Sequence, residues 1–173
     1  MDYKKEIEKR ISRRNYLETP IDSEKVLTLK NLIESLNEKS KLSMKFIEDA
    51  GDAFAGFRKS YGMLKGVRSV ILLQGNESDA DLKEKCGYYG EILVLEATRL
   101  GLGTCWVGGS FEKGNKAFVS EDTSLKPVCV ITIGNVSDDK STREKLIYKL
   151  THRKSKSASE MYKSEITPPD WFI

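Results

Sequence analysis

The chain has 173 residues, of which 32% are charged and 39% are hydrophobic, a balance that favours a folded globular protein and excludes a disordered one. The formal net charge of +3 is too small to make nucleic-acid binding the default expectation, and no apolar run approaches the roughly 20 residues of a membrane span. Three scattered cysteines and an N-terminus without a signal-peptide segment favour the cytoplasm, so we expect one cytoplasmic domain over residues 1–173 with neither nucleic-acid nor membrane partners.

The first half of the chain predicts helices followed by strands. A short helix is expected over residues 3–10, and a longer one begins at the N-cap Asp22 and ends near Asn37. Alternating apolar residues predict a strand over residues 42–46, and an apolar run predicts another over residues 67–73.

Residues 87–109, GYYGEILVLEATRLGLGTCWVGG, predict an amphipathic helix that ends in a glycine-rich turn and continues as a buried strand. We expect Gly101 and Gly103 to supply the left-handed or close-approach geometry that stops the helix. Gly108 and Gly109 close the strand with backbone that no side chain shields, and a loop like this can offer bare N–H groups to a planar or anionic ligand. A glycine inside a helix costs about 1 kcal/mol relative to alanine, so Gly90 predicts close packing against another helix or a ligand. The buried stripe of the helix is expected to comprise Leu82, Cys86, Tyr89, Leu93, Ala97 and Leu100.

The last third of the chain predicts a short helix over residues 113–118 and, after Pro127, a central strand covered on both faces. Ser137 or Asp138 is expected to cap a further helix. These elements together predict an α+β domain.

His152 is the only histidine of the chain, and it lies in a basic cluster without a nearby acidic residue. This argues against Ser-His-Asp or Cys-His catalysis and against a zinc site of histidines and cysteines, so no metal is expected. If the chain is an enzyme, its reactive groups therefore come from a cofactor.

Arg10, Ser12 and Arg14 alternate near the start of the chain, so an extended backbone would direct their side chains to one side. Two guanidinium groups and a hydroxyl on one face suit a phosphate, because arginine offers forked donors to paired oxygens. The alternative is a solvated basic stretch. A second basic cluster, residues 153–156, could join the first.

The glycine turn leaves one other class of ligand open. Gly101 and Gly103 follow a helix and precede a strand, the reverse of a dinucleotide-binding fingerprint. In an acetyltransferase-type loop, Arg or Gln followed by x-x-G-x-G, Thr98 would occupy the basic or amide position. An acyl-CoA transferase that binds CoA at Gly101–Gly103 therefore stays an alternative.

The segments R-x-S-x-R-x-Y (residues 10–16), GYYGEILVLEATRLGLG, TCWVGG and RKSK (residues 153–156) occur here in that order. Over residues 7–160 the chain resembles the FMN-dependent nitroreductase family. The resemblance implies an α+β fold with a central, mostly antiparallel sheet, flanking helices and a long central helix. It also implies a homodimer with that helix at the interface and each FMN between the subunits.

The resemblance further implies an FMN site. Arg10, Ser12 and Arg14, joined by Arg153, Lys154 or Lys156, would hold the phosphate and ribityl chain. The strand of Trp106, Val107, Gly108 and Gly109 would lie along the flavin ring, and the backbone N–H of Gly108 would face N5 as the catalytic group. The implied reaction transfers hydride from NAD(P)H to the flavin and then electrons to a small acceptor, such as a nitroaromatic or a quinone.

One family segment that lines the flavin, A-P-S-x-x-N-x-Q-P, has no match after Pro20. In a permuted subgroup, which this chain resembles more closely, that segment follows a region like residues 160–173. We therefore expect a chain shortened at its C-terminus, or a pocket completed by another surface. The alternative is a non-catalytic flavin-binding or interaction protein on the same scaffold.

Overall fold

The computed structural model describes residues 3–54, 63–109, 111–112 and 114–150. Two compact units divide the chain, Met1–Lys140 and Ser141–Ile173. In chain order, the helices and strands are α1 (Lys4–Lys9), α2 (Ser23–Ser40), β1 (Lys45–Ile47), a 3-10 helix (Gly51–Phe54), β2 (Ser69–Asn76), α3 (Leu82–Arg99), β3 (Gly103–Val107), β4 (Leu125–Gly134) and α4 (Thr142–Leu150).

The described part of the first unit contains a four-stranded antiparallel sheet in the order β1-β2-β4-β3. Along β2, Ile71 and Leu73 belong to one apolar core and Val70 and Leu72 to another. Because successive side chains of a strand point to opposite faces, the sheet carries a core on each face. The predicted α+β class and the doubly covered central strand are confirmed.

β4 contains a bulge around Pro127. Leu73 of β2 pairs with Cys129, but the next residue, Gln74, pairs with Pro127, so Val128 is the extra residue. A bulge tolerates proline because the ring nitrogen has no N–H for the ladder. The strand consequently begins before the proline, at Leu125, and not after it as the sequence predicts.

The end of α2 determines where the first strand begins. Asp22 caps the helix as predicted, accepting a hydrogen bond from the Glu24 N–H at 2.9 Å. The helix continues to Ser40 because the stop comes at Lys41, whose φ of 61° is left-handed. Asn37 then holds the main chain of Met44 through two hydrogen bonds of 2.9 and 3.0 Å, and β1 begins only at Lys45.

α3 ends as its glycine turn predicts. Gly101 has a φ of +74°, its N–H donates to the Thr98 carbonyl at 3.0 Å, and the Leu102 N–H donates to the Ala97 carbonyl at 2.9 Å. These two bonds form a Schellman motif, in which a left-handed glycine turns the chain out of the helix. Of the predicted stripe, Leu82, Cys86, Leu93 and Ala97 are buried, while Tyr89 and Leu100 pack half-buried against the same core.

Two predicted features of the last third are wrong. Residues 114–118 form turns, not a helix. In the second unit, Ser141 rather than Ser137 or Asp138 caps the helix: the Glu144 N–H donates to Ser141 Oγ at 3.2 Å, and the Ser141 N–H donates to Glu144 Oε2 at 2.8 Å. This is a capping box, which satisfies two N–H groups at the start of α4. None of the helices in the described ranges combines the length and the apolar character that crossing a bilayer requires.

Candidate functional site

The segment after α1 lies along the outer edge of β3. Ser12 forms a parallel bridge with Thr104, and the Arg13 N–H donates to the Thr104 carbonyl at 2.8 Å. Further on, the Tyr16 N–H donates to the Lys65 carbonyl at 2.9 Å. The extended backbone expected for residues 10–14 is therefore present at its centre, and it is anchored to the sheet.

Tyr16 fixes this segment against β4. Its ring is 5% exposed, and its hydroxyl donates to the Arg13 carbonyl at 2.7 Å and lies 2.7 Å from Thr132 Oγ1. The ring lies over Gly134, where an added Cβ would come within 3.0 Å of Tyr16 Cδ1. Tyr16 therefore holds in place the segment that carries the predicted phosphate-binding residues Arg10, Ser12 and Arg14.

Arg13 has a structural role that was not predicted from the sequence. Its side chain is 7% exposed, and Nη2 donates to the carbonyls of Ser137 at 2.9 Å and Asp139 at 3.1 Å. The alternation of Arg10, Ser12 and Arg14 already placed Arg13 on the opposite side of the segment. This alternation was the signal in the sequence that could have set Arg13 apart from the other two arginines.

Arg10 follows the last residue of α1 and lies beside α3. Its side chain is 18% exposed, and Nε approaches Glu91 Oε1 at 3.6 Å, beyond hydrogen-bonding distance. Nε is buried without a hydrogen-bond partner, and no acceptor in the described residues takes a bond from the rest of the guanidinium. Because a guanidinium carries five N–H donors, Arg10 offers a largely buried, unused donor set.

Ser12 and Arg14 share this segment, and both are half-buried. The Arg14 carbonyl accepts from the Lys65 N–H at 2.9 Å, which holds the main chain at this position. The structure thus brings Arg10, Ser12 and Arg14 onto one short anchored stretch. Arg153, Lys154 and Lys156 lie outside the described residues.

The strand of Trp106 and Val107 leads to an open glycine pair. Trp106 is half-buried and its Nε1 donates to Glu91 Oε2 at 2.9 Å, whereas Val107 is buried. Gly108 and Gly109 are exposed, and no described atom beyond their chain neighbours comes within 4 Å of a Cβ placed on either. At about 3.3 Å per residue, the stretch from Thr104, beside Ser12, to Gly108 spans about 13 Å.

The other glycines serve internal packing. The N–H groups of Gly101 and Leu102 are used within the Schellman motif. An added Cβ at Gly103 would lie 2.4 Å from Val136 Cγ1 and 2.9 Å from Arg13 Cβ. At Gly101 and Leu102 the turn therefore has no unused N–H group for the CoA of the acyl-CoA transferase alternative. Gly90 packs against Trp106 and Leu73 of the sheet, where the sequence predicted another helix or a ligand.

A cleft of about 410 Å³ nevertheless joins the two predicted regions. One wall carries Lys9, Arg10 and Arg13, and the other is formed by residues 101–103 and 136–138. Arg10 contributes to this cleft, whereas Ser12 and Arg14 are not among its lining residues. Of the three predicted phosphate-binding residues, Arg10 is therefore the one that lines this cleft.

One carboxyl group in this region, that of Glu96, has a shifted pKa and a structural role. Glu96 of α3 is 2% exposed, and hydrogen bonds of 2.9 and 2.6 Å from the Arg99 guanidinium lower its pKa despite burial. The Tyr3 hydroxyl donates to Glu96 Oε2 at 3.4 Å, and burial together with this carboxylate raises the pKa of Tyr3. The cluster ties the start of α1 to α3 and leaves Arg10 beside Glu91.

The comparison with protein families identifies the class of this protein. The family model described as "Putative TM nitroreductase" matches residues 2–173, and the chain belongs to this nitroreductase family. A search among curated proteins finds no match to the sequence.

Solved structures show the same fold. A protein described as a "putative nitroreductase in complex with FMN" from Desulfovibrio desulfuricans is 16% identical, with a TM-score of 0.71 over 97% of this chain and 99% of that one. A nitroreductase family protein from Clostridium difficile 630 is 19% identical, with a TM-score of 0.67 over 96% and 100%. An FMN-dependent nitroreductase from Clostridium difficile R20291 is 19% identical, with a TM-score of 0.55 over 87% and 98%.

Proposed function

We propose that this protein is an FMN-dependent oxidoreductase that takes hydride from NAD(P)H and reduces a small acceptor such as a nitroaromatic or a quinone. Its nitroreductase family and its likeness to a protein crystallised with FMN support this proposal. When bound, the flavin supplies the hydride-accepting N5 and the electron-transfer chemistry. The chain's own residues bind and orient it.

The observation that carries the proposal is the donor set of Arg10. Burying a charged group without hydrogen bonds is costly, and the Arg10 guanidinium is largely buried while the described residues accept none of its donors. A ligand phosphate would satisfy these donors in pairs. Ser12 and Arg14, on the same anchored segment, would add a hydroxyl and a second guanidinium.

The ring-side residues also fit a flavin. No described atom beyond the chain neighbours lies within 4 Å of a Cβ placed on Gly108 or Gly109, and a planar ring would use this open space beside the backbone. A backbone N–H held near N5 stabilises the charge that develops there without a catalytic side chain. Trp106 and Val107 would flank the ring from β3.

We further propose one nitroreductase domain comprising both units, because the family model spans them. We also propose a homodimer with α3 at the interface, which the resemblance to the nitroreductase family implies. In that domain, Arg153, Lys154 and Lys156 would join the phosphate site. None of Cys86, Cys105 and Cys129 is in a disulfide, and we propose a reducing compartment, the cytoplasm, for this protein.

The test is the flavin content of the purified protein. We expect a yellow protein whose flavin absorbance falls sharply when Arg10 and Arg14 are both replaced by alanine. Replacing Lys39 and Lys83, two exposed lysines of α2 and α3, removes the same charge and should leave the flavin content unchanged. A colourless protein that takes up no added FMN contradicts the proposal.

Reduction of the bound flavin separates the enzyme from the non-catalytic alternative. We expect NADH or NADPH to bleach the flavin absorbance under anaerobic conditions, and an added quinone to restore it. Flavin that is bound but that neither nicotinamide reduces would support the non-catalytic flavoprotein instead. Stopped-flow absorbance at the flavin bands measures both half-reactions.

A further inference from the structure

One carboxylate of α3 contacts both ends of the proposed flavin site. Glu91 Oε2 accepts from Trp106 Nε1 at 2.9 Å, and Glu91 Oε1 lies 3.6 Å from Arg10 Nε. Arg10 belongs to the phosphate segment and Trp106 to the ring-side strand. Glu91 is therefore the residue that connects the two.

The two contacts differ in kind. The indole N–H makes a normal hydrogen bond, whereas the 3.6 Å separation from Arg10 balances charge without using an N–H donor. Arg10 is thus partly neutralised but keeps its hydrogen-bonding capacity. A phosphate that hydrogen-bonds Arg10 would lie within about 10 Å of the Glu91 carboxylate, the range over which charges interact at ordinary ionic strength.

We infer that Glu91 is a specificity-determining residue of the proposed flavin site. Its carboxylate is the counter-charge of Arg10, and it repels a ligand phosphate that binds to Arg10. This inference rests on the proposed function. Glu91 lowers the affinity for the phosphorylated ligand, and through Trp106 it transmits the arrival of phosphate to β3. A salt bridge with a half-exposed partner orients little, so repulsion of the incoming dianion is the larger effect.

The first test compares FMN with riboflavin, which lacks the phosphate. Glu91→Gln keeps a carbonyl that can accept from Trp106 and removes only the charge. We expect this variant to bind FMN about tenfold more tightly at low ionic strength, with riboflavin affinity unchanged, and the gain should shrink as salt is added. Flavin fluorescence quenching measures both dissociation constants.

Two control variants make the test specific. Glu84→Gln removes an exposed carboxylate from the first turn of α3 and should change the FMN affinity by less than about twofold. In an Arg10→Ala background, Glu91→Gln should tighten FMN less, because without Arg10 the phosphate is no longer held close to the Glu91 carboxylate. Weaker or unchanged FMN binding by Glu91→Gln, or an equal effect of Glu84→Gln, overturns the inference.

A flavin-free experiment separates this inference from the proposed function. Trp106 and Trp171 are the only tryptophans, so Trp171→Phe leaves Trp106 as the sole emitter. Titration with inorganic phosphate should shift the Trp106 emission, and adding Glu91→Gln should reduce the shift at least about threefold while phosphate binds more tightly. If FMN fails to bind but this response is present, the proposed function fails, and what stands is that Glu91 opposes phosphate at Arg10. If phosphate leaves the emission unchanged, the inference fails.

Discussion

The indole of Trp106 occupies the space that a side chain at Gly90 would need: an added Cβ would lie 2.4 Å from Trp106 Cη2 and 2.8 Å from Leu73 Cδ1. α3 and the sheet therefore meet closely at the same helix turn that carries Glu91. The tight packing and the polar contacts at Trp106 are parts of one interface.

Gly90→Ala should therefore destabilise the protein. Overpacking a core costs about 1–3 kcal/mol, which exceeds the roughly 1 kcal/mol that alanine gains over glycine in a helix when a rigid indole must move. Gly87 of the same helix has no neighbour within 4 Å of an added Cβ, so Gly87→Ala should raise the free energy of unfolding by about 0.5–1 kcal/mol. Urea denaturation measures both, and equal signs for the two variants would contradict the packing at Gly90.

Substitutions at Arg13 and Arg10 should have different effects: the first should lower stability and the second should weaken ligand binding. Arg13→Ala removes the donor to the Ser137 and Asp139 carbonyls, and we expect the free energy of unfolding to fall by about 1–3 kcal/mol. Arg10→Ala should change stability little in flavin-free protein and should weaken FMN binding. Thermal melts with and without FMN distinguish the two effects, and a larger stability loss in Arg10→Ala would reverse the assignment.

Gln74 is a buried polar residue of β2 with an unsatisfied amide. The residue is 0% exposed, and neither Nε2 nor Oε1 has a hydrogen-bond partner within the part of the chain that the structure describes. Gln74→Met preserves the shape and removes both groups, so it should raise the free energy of unfolding by about 1–3 kcal/mol. A loss of stability would instead mean that a buried water satisfies the amide. Chemical denaturation of the two proteins decides between these outcomes.

The three thiols should differ in reactivity. Burial, and to a lesser extent the neighbouring Cys129 and Asp79, raises the pKa of Cys86 to about 12, so this thiol stays protonated well above neutral pH. At about pH 8 a thiolate-specific reagent should label half-buried Cys129 first and spare Cys86, because only the thiolate reacts. Mass spectrometry of partly labelled protein checks the order. Rapid labelling of Cys86 in the folded state would be incompatible with this packing.

Local signals in the sequence predicted the fold well where one residue decides the backbone. Asp22 caps its helix, and Gly101 ends α3, because a carboxylate oxygen and an unsubstituted Cα are sufficient causes within a few residues. Pro127 led to a wrong strand boundary because a bulge accommodates it, and the bulge depends on how β4 pairs with β2. The stop of α2 at Lys41 likewise has no local signal, since a left-handed lysine is uncommon.

For the same reason, only part of the candidate site could be predicted from the sequence. The alternation of Arg10, Ser12 and Arg14 predicted an extended phosphate-type segment, and β3 does hold it extended through Thr104. Glu91 was missed because its two contacts join residues far apart in the chain, and nothing in its helix distinguishes it from the other glutamates. Tertiary contacts of this kind leave no periodic pattern in the sequence.

The position of the N-terminal segment beside β3 has a consequence for how the protein can be handled. Among the described strands β3 is the last of its sheet, and Ser12 and Arg13 occupy part of its outer side. Unpaired edges of strands pair with other chains, so a shortened form lacking the first dozen or so residues would lose the proposed phosphate-binding groups of Arg10 and Ser12 and expose an aggregation-prone edge at once. Self-association and loss of flavin would then share a single cause.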